Sequence, residues 1–255
     1  MSAGDRPPTP PGREAARLAD LIRGARSVVA LTGAGISVPS GIPDFRSPGT
    51  GLWANVDPME VAHISVWRRD PERFWSFYGQ RFSVLDGKEP NGAHRALAAL
   101  EAASRLDAVI TQNIDGLHRA AGTRELVEIH GSVATASCLA CRARYPLAET
   151  RARLPLPRCD CGEVLKPDVV LFGELLDEAA MERASALAAG ADLMLCIGSS
   201  LEVFPAAGLP ELTLSSGGAL AVVTQGSTPF DSVAAVRLGG DVEAEMVAVI
   251  DELRL

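Results

Sequence analysis

Long apolar runs are the first thing this 255-residue chain lacks. A membrane-spanning helix needs about 20 consecutive apolar residues, and the longest strand-like runs here hold about six. Residues 1–12, MSAGDRPPTPPG, place proline where a secretory signal would place an apolar stretch. They read as a disordered tail without an export signal. Positive charge is also short: 24 Lys and Arg stand against 32 Asp and Glu, a formal net charge of −8. That balance argues against a nucleic-acid backbone as main partner, though a local basic patch would still be compatible with it. There is no internal repeat. The expectation is a soluble, cytoplasmic, monomeric protein with no membrane partner.

Cysteine is scarce, with five in all. Four of them cluster as Cys138, Cys141, Cys159 and Cys161. In a chain without an export signal, such a cluster suggests a metal before a disulfide. Cys196, alone in LMLCIGSS, reads as a small hydrophobe in a buried strand.

What is present is ordinary for a globular protein: 47% apolar and 22% charged residues, enough for one large core and a small appended module. Strand-like runs at 27–32, 106–113, 125–131, 168–172, 191–200 and 218–224 alternate with helical patterns at 13–25, 91–104, 177–189 and 241–253. Such alternation predicts an α/β fold, a doubly wound parallel (Rossmann-like) sheet covered on both faces. Two segments interrupt it. Residues 48–90 lack a strand-like run and read as a loop followed by a helical insertion. Residues 137–165 hold the cysteines and are too small to fold without a staple. The main domain is therefore assigned to 13–47, 91–136 and 166–255.

In such sheets ligands bind beyond the carboxyl ends of the strands. The residues expected there are Gly33, Ala34, Gly35 and Ser37; Gln112, Asn113, Ile114 and Asp115; His130; Gly173 and Glu174; Gly198, Ser199 and Ser200; and Thr224 with Gln225. Gly33 and Gly35 would let backbone approach a pyrophosphate, with Ser199 and Ser200 as hydroxyl donors. Yet the third small residue of a dinucleotide fingerprint is missing, since Val38 occupies its place, and Pro39, Gly41 and Pro43 forbid the long helix that should follow. The acid expected about 20 residues on is missing from a strand end too, because Asp57 lies in WANVDPM. Hydride transfer is disfavoured.

GAGISVPSGIPDFR, TQNIDGLH, EIHGS, KPDVVLFGE and GSSLEVFP, in this order, resemble the signature motifs of the sirtuins, NAD-dependent protein deacylases, here of bacterial type. The resemblance runs from about residue 15 to the C-terminus, and it implies a mobile cofactor loop where the helix is broken. By the same resemblance His130 is the general base for a ribose hydroxyl, a task suited to imidazole. Asn113 and Asp115 orient ribose, water and the nicotinamide amide, and Gln112 binds ribose. Phe45 shields the reactive carbon and Arg46 serves the phosphates. Asp44 reads equally as cofactor ligand or as a turn cap. Val170, Phe172, Gly173 and Glu174 match the strand along which an acyl-lysine peptide lies. Val242 matches an adenine contact, while Thr224 and Gln225 stand where the family usually has Asn. Cys159-Asp160-Cys161 replaces a Cys-x-x-Cys knuckle, so the fourth ligand of the implied structural zinc is expected off ideal geometry. His118 is expected to pack or bond within its helix, and His63 and His94 carry no site signal.

The implied reaction transfers an acyl group from lysine to ADP-ribose and releases nicotinamide. Mono-ADP-ribosylation of a protein, or a non-catalytic NAD- and zinc-dependent binding module, remain alternatives. Tyr78 and Arg81 reproduce the Tyr-x-x-Arg spacing of the desuccinylase and demalonylase branch, and on a helix they would share a face. FRSPGTGLW looks more like the deacetylase branches, and Tyr78 reads equally as core. Deacetylation is the favoured expectation.

Overall fold

Short β-branched and aliphatic runs bounded by Gly, Asp and Pro become strands because they fill both faces of a covered sheet. In the computed structural model, which describes residues 12–44, 57–85 and 87–255, these are β1 (Val28–Thr32), β2 (Ala108–Thr111), β3 (Leu126–Glu128), β4 (Gly131–Ser137), β5 (Arg144–Pro146), β6 (Lys166–Val169), β7 (Leu193–Ile197), β8 (Ala219–Val223) and β9 (Val236–Leu238). The α-helices are α1 (Arg13–Gly24), α2 (Pro58–Val61), α3 (Ile64–Arg69), α4 (Pro71–Val84), α5 (Gly92–Ala102), α6 (Leu117–Ala120), α7 (Leu147–Ala152), α8 (Glu178–Gly190), α9 (Leu209–Ser215) and α10 (Val242–Leu253). Side-chain oxygens cap the longer ones. Asn91 accepts from Ala93 N–H at the start of α5, Asp177 from Ala180 N–H at α8, and Asp241 from Ala244 N–H at α10.

Six strands form a parallel sheet in the order β3-β2-β1-β7-β8-β9. One face packs α1, α5 and α10 through Leu18, Ile22, Leu97, Leu100 and Met246, and the other packs α8 and α9 through Ala184, Ala188 and Leu209. Strand order reverses between β1 and β7, which run in register from Val28↔Leu193 to Thr32↔Ile197. That reversal is the switch point at which doubly wound sheets open a ligand crevice.

Two features differ from the sequence reading. The apolar run at 168–172 does not enter the main sheet. Its first part lies in β6, which pairs antiparallel with β4 in a separate sheet ordered β5-β4-β6. Gly131 makes the exit from β3 into β4: its φ is +74°, and a Cβ there would stand 2.2 Å from the Asp168 carbonyl oxygen. The assigned boundaries at 136 and 166 therefore cut through this small sheet. In addition, the helical insertion and the cysteine module share one core, in which Phe74, Trp75, Tyr78 and Phe82 meet Val133, Tyr145 and Leu165. The indole N–H groups of Trp67 and Trp75 both donate to the Leu165 carbonyl, at 3.1 and 2.9 Å. Each fully buried aromatic of this kind stabilises the lobe by about 1.5–3 kcal/mol.

Candidate active site and metal centre

Because the main sheet is parallel, all its strands deliver their following loops to one edge. The loops after β1 and β7 touch. Gly33 N–H donates to the Ile197 carbonyl at 3.0 Å and Gly35 N–H to the Gly198 carbonyl at 2.8 Å. A Cβ on Gly33 would come within 2.9 Å of Ser199, and one on Gly35 within 2.8 Å of the Gly198 oxygen. Approach between the two loops is thus what demands these glycines. Their own N–H groups are bonded to the end of β7 and its loop. Ala34–Ser40 winds as a 3-10 helix around Pro39 and stops at Gly41, φ +76°, so the long helix of a dinucleotide fingerprint is absent, as expected. Asp44 is half-buried. Phe45 and Arg46 lie outside the described residues.

Inside this turn Ser37 is buried and acts as a hub. Its hydroxyl donates to Asp115 Oδ2 at 2.7 Å and accepts from Asn113 Nδ2 at 3.2 Å. Asn113 Nδ2 also donates to the Gly33 carbonyl at 3.1 Å. Asp115 Oδ1 caps α6 by accepting from Leu117 N–H at 2.9 Å. Burial raises the Asp115 carboxyl above its ordinary pKa against these hydrogen bonds. Gln112 Nε2 donates to Ser199 Oγ at 3.0 Å, joining the β2 loop to the β7 loop. Ile114 is half-buried beside it.

His130 follows β3. Its Nδ1 stands 2.9 Å from the Gln112 carbonyl, which can only accept. The proton therefore sits on Nδ1 and leaves Nε2 as a bare lone pair. Burial lowers the pKa of the ring, more than the Gln112 bond raises it, so the neutral base is the favoured form.

Sequence reasoning missed a pair of buried histidines beside this network. His94 and His118 lie edge to face at 4.8 Å, both buried. Thr32 Oγ1 donates to Thr111 Oγ1 at 2.8 Å, so His118 Nε2, 2.9 Å from Thr32 Oγ1, must donate to it. Thr111 Oγ1 accepts in turn from Asn113 N–H at 3.0 Å. His118 thus bonds across to β1 and not within its own helix. Burial drives His94 down to about 4, with the Arg95 charge adding to it, and His118 down to about 3. Lone histidines on two helices give no sequence signal for this contact.

The strand expected to carry a peptide is partly engaged already. Val170 N–H donates to the His130 carbonyl at 2.9 Å, and Phe172 exchanges bonds with Ala62 and Ile64. Glu174 does not face outward with its carboxylate. Oε2 accepts from Leu171 N–H at 2.9 Å and pairs with the buried Lys166 ammonium at 2.9 Å, which also donates to the Val169 carbonyl at 2.8 Å. Gly173 is exposed at φ +82° with the His63 ring against it. Tyr78 is buried and stacked on Phe74 at 4.4 Å, and it lines one cavity with Ala34, Ser37, Ile42, Asn113 and Asp115. The Arg81 side chain lies outside the described residues. At the far end Ser200 and Thr224 are half-buried, Gln225 is exposed and Val242 opens α10.

In the smaller lobe the Sγ atoms of Cys138, Cys141, Cys159 and Cys161 all lie within 4.8 Å of one another. The Cys138–Cys161 and Cys141–Cys159 pairs are at 3.5 and 3.4 Å. Four sulfurs about 2.3 Å from a tetrahedral zinc stand about 3.8 Å apart, so the set fits a structural Zn²⁺ with no open position. The Cys-x-Cys turn brings both its thiols to the cluster.

Comparison with known proteins agrees with this architecture. The Sir2 family profile matches residues 33–205. The NAD-dependent protein deacetylase of Sulfolobus acidocaldarius is 42% identical over 94% of this chain and 96% of its own length. That of Thermotoga maritima is 41% identical over 91% and 96%. The NAD-dependent protein deacylase of Aeropyrum pernix is 44% identical over 91% of each. Among solved structures, a Sir2 variant with a deacetylated p53 peptide and 3′-O-acetyl ADP ribose superposes with a TM-score of 0.89 at 40% identity, covering 92% of this chain and 97% of that one. The fold, the strand-end site and these matches together place the chain in the Sir2 family.

Proposed function

We infer that this chain is an NAD-dependent protein deacylase acting on acylated lysine. Within that reaction we propose that His130 is the general base. The observation that carries the proposal is the Nδ1–Gln112 bond, which leaves Nε2 unprotonated at a strand end beside the Asn113–Ser37–Asp115 network. NAD supplies a nicotinamide–ribose bond to be cleaved and a ribose hydroxyl to accept the acyl group. His130 Nε2 takes the proton of that hydroxyl. Asn113 and Asp115, held rigid through Ser37, orient ribose and the nicotinamide amide. Gln112 and Ser199 hold ribose and phosphate at the switch point, with Ser200 beside them. Thr224, Gln225 and Val242 serve the adenosine end, and by the motif resemblance Phe45 shields the reactive carbon, Arg46 serves the phosphates and Asp44 is a cofactor ligand or a turn cap. Val170, Phe172 and Gly173 guide the peptide, whose main chain pairs as an added strand. Glu174 shapes that strand from within through Lys166.

Acetyl is the acyl group we propose first. The stacking of Tyr78 on Phe74 supports a core role for that ring. Acidic acyl groups would require the Arg81 fork as a carboxylate partner. We also propose a cytoplasmic setting, in keeping with a thiolate-rich metal site that needs reduced cysteines. Mass spectrometry of NAD with acetyl-, succinyl- and malonyl-lysine peptides tests the reading. Loss of acetyl with matching nicotinamide is expected, and ADP-ribose joined to protein without deacylation would overturn it. If succinyl is also removed, Arg81→Met should suppress that activity far more than deacetylation.

A further inference from the structure

The shortened knuckle holds three neighbours that the reaction does not use. Tyr145 Oη lies 3.3 Å from Cys159 Sγ and 3.1 Å from the Asp160 backbone nitrogen. A backbone N–H can only donate, so Oη accepts from Asp160. The phenolic hydrogen is then free for sulfur, and a metal-bound thiolate can only accept. The order is fixed: Asp160 N–H to Tyr145 Oη, and Tyr145 O–H to Cys159 Sγ. The ring itself is anchored away from the knuckle, buried in the lobe core on β5 opposite Ala136 of β4. Arg153, just beyond α7, covers its outer face with the guanidinium carbon 4.4 Å from the ring centroid. The same guanidinium reaches Asp160 Oδ1 at 2.8 Å and the Arg158 carbonyl at 2.7 Å. Two separate elements, β5 through Tyr145 and the end of α7 through Arg153, therefore converge on the single residue between Cys159 and Cys161.

We propose that Tyr145, locked by Arg153 and Asp160, is a positioning residue for the zinc site, donating a hydrogen bond to the Cys159 thiolate and holding the Cys-x-Cys turn in a ligating shape. A turn with one residue between its ligands has one fewer backbone N–H to aim at sulfur than a Cys-x-x-Cys knuckle. Four thiolates on Zn²⁺ carry a net charge of −2, so each donor to sulfur favours the loaded site. The tyrosine hydroxyl supplies such a donor from a different strand. Cys159 is buried, whereas Cys141 and Cys161 are exposed, so a chelator meets those two thiols first.

The test uses the full chain loaded with zinc, and a second sample loaded with Co²⁺. Tyr145→Phe removes only the hydroxyl. Removing an outer partner of a metal ligand lowers metal affinity by about 10–100-fold, and competition against a chromogenic chelator should show a loss of that size. In the Co²⁺ protein the thiolate-to-metal charge-transfer band should move to lower energy, because the sulfur loses a donor. Affinity within twofold of wild type, or an unmoved band, overturns the proposal; in the latter case the hydroxyl serves only the Asp160 amide. Should Tyr145→Phe fail to fold, Arg153→Met leaves the strand packing intact while it uncovers the outer face of the ring and releases Asp160. It should speed zinc transfer to the chelator several-fold, and an unchanged rate would count equally against the clamp.

Discussion

Among four histidines, His130 is the proposed base because of what its other nitrogen touches. His130 donates from Nδ1 to a carbonyl, and His118 donates from Nε2 to a threonine under the sheet edge. The motif EIHGS singled out His130 as the proposed base without telling of its bond to Gln112, and nothing in GLHRAAG told that His118 reaches across to Thr32. His130→Ala should lower deacylation by about 10²–10⁴-fold with fold and NAD binding retained, as checked by circular dichroism and calorimetry. Near wild-type turnover would remove His130 from the mechanism. Its lowered pKa also sets the pH profile. A base must be unprotonated, so the acid limb of kcat/KM should fall at a pH below the 6.5 of a free imidazole. A limb above that value would show that the buried-ring argument is mistaken.

At the scale of elements, the parallel sheet was legible because burial on both faces writes continuous apolar strands, and α1, α5, α8 and α10 were legible from helical spacing, whereas short helices such as α7 and α9 were not. The short β9 was not, since Val236-Arg237-Leu238 carries too little pattern to separate from its loop. Nor was the pairing of β6, because an apolar run states that it is buried and not which sheet buries it. The substrate loop shows the same limit. Glu174 was read only as matching the peptide-binding strand and loop, and that reading did not tell that Lys166 holds its carboxylate beside the turn at Gly173. Lys166→Met should raise the KM for acyl peptide several-fold while the KM for NAD stays near wild type, and Lys166→Arg should restore most of the loss. Parallel changes in both constants would assign the ion pair to general stability.

For the whole molecule, acid stability follows from His94 and His118. Their folded pKa values, about 4 and about 3, lie below the unfolded 6.5, so between these limits the unfolded chain binds protons that the folded one does not. Stability is therefore complete above about pH 6.5 and is lost as pH falls toward 3–4. Asp115, with a raised pKa, acts in the opposite sense. The melting temperature should drop between pH 7 and 4.5, and His118→Met should flatten that slope even if it lowers stability at pH 7. An unchanged slope would place the acid sensitivity elsewhere. Zinc removal acts at the same scale: one core joins the cysteine module to the helical insertion, so chelation should lower activity together with the melting temperature. Activity untouched after full zinc loss would contradict that coupling. The central claim is that cleavage of NAD is tied to acyl transfer, and stoichiometry tests it most directly. With an acetyl-lysine peptide, nicotinamide, free lysine peptide and O-acetyl-ADP-ribose should appear in equal amounts, and nicotinamide release should nearly cease when the acetyl group is omitted. Nicotinamide released in excess, with ADP-ribose found on protein, would contradict the account.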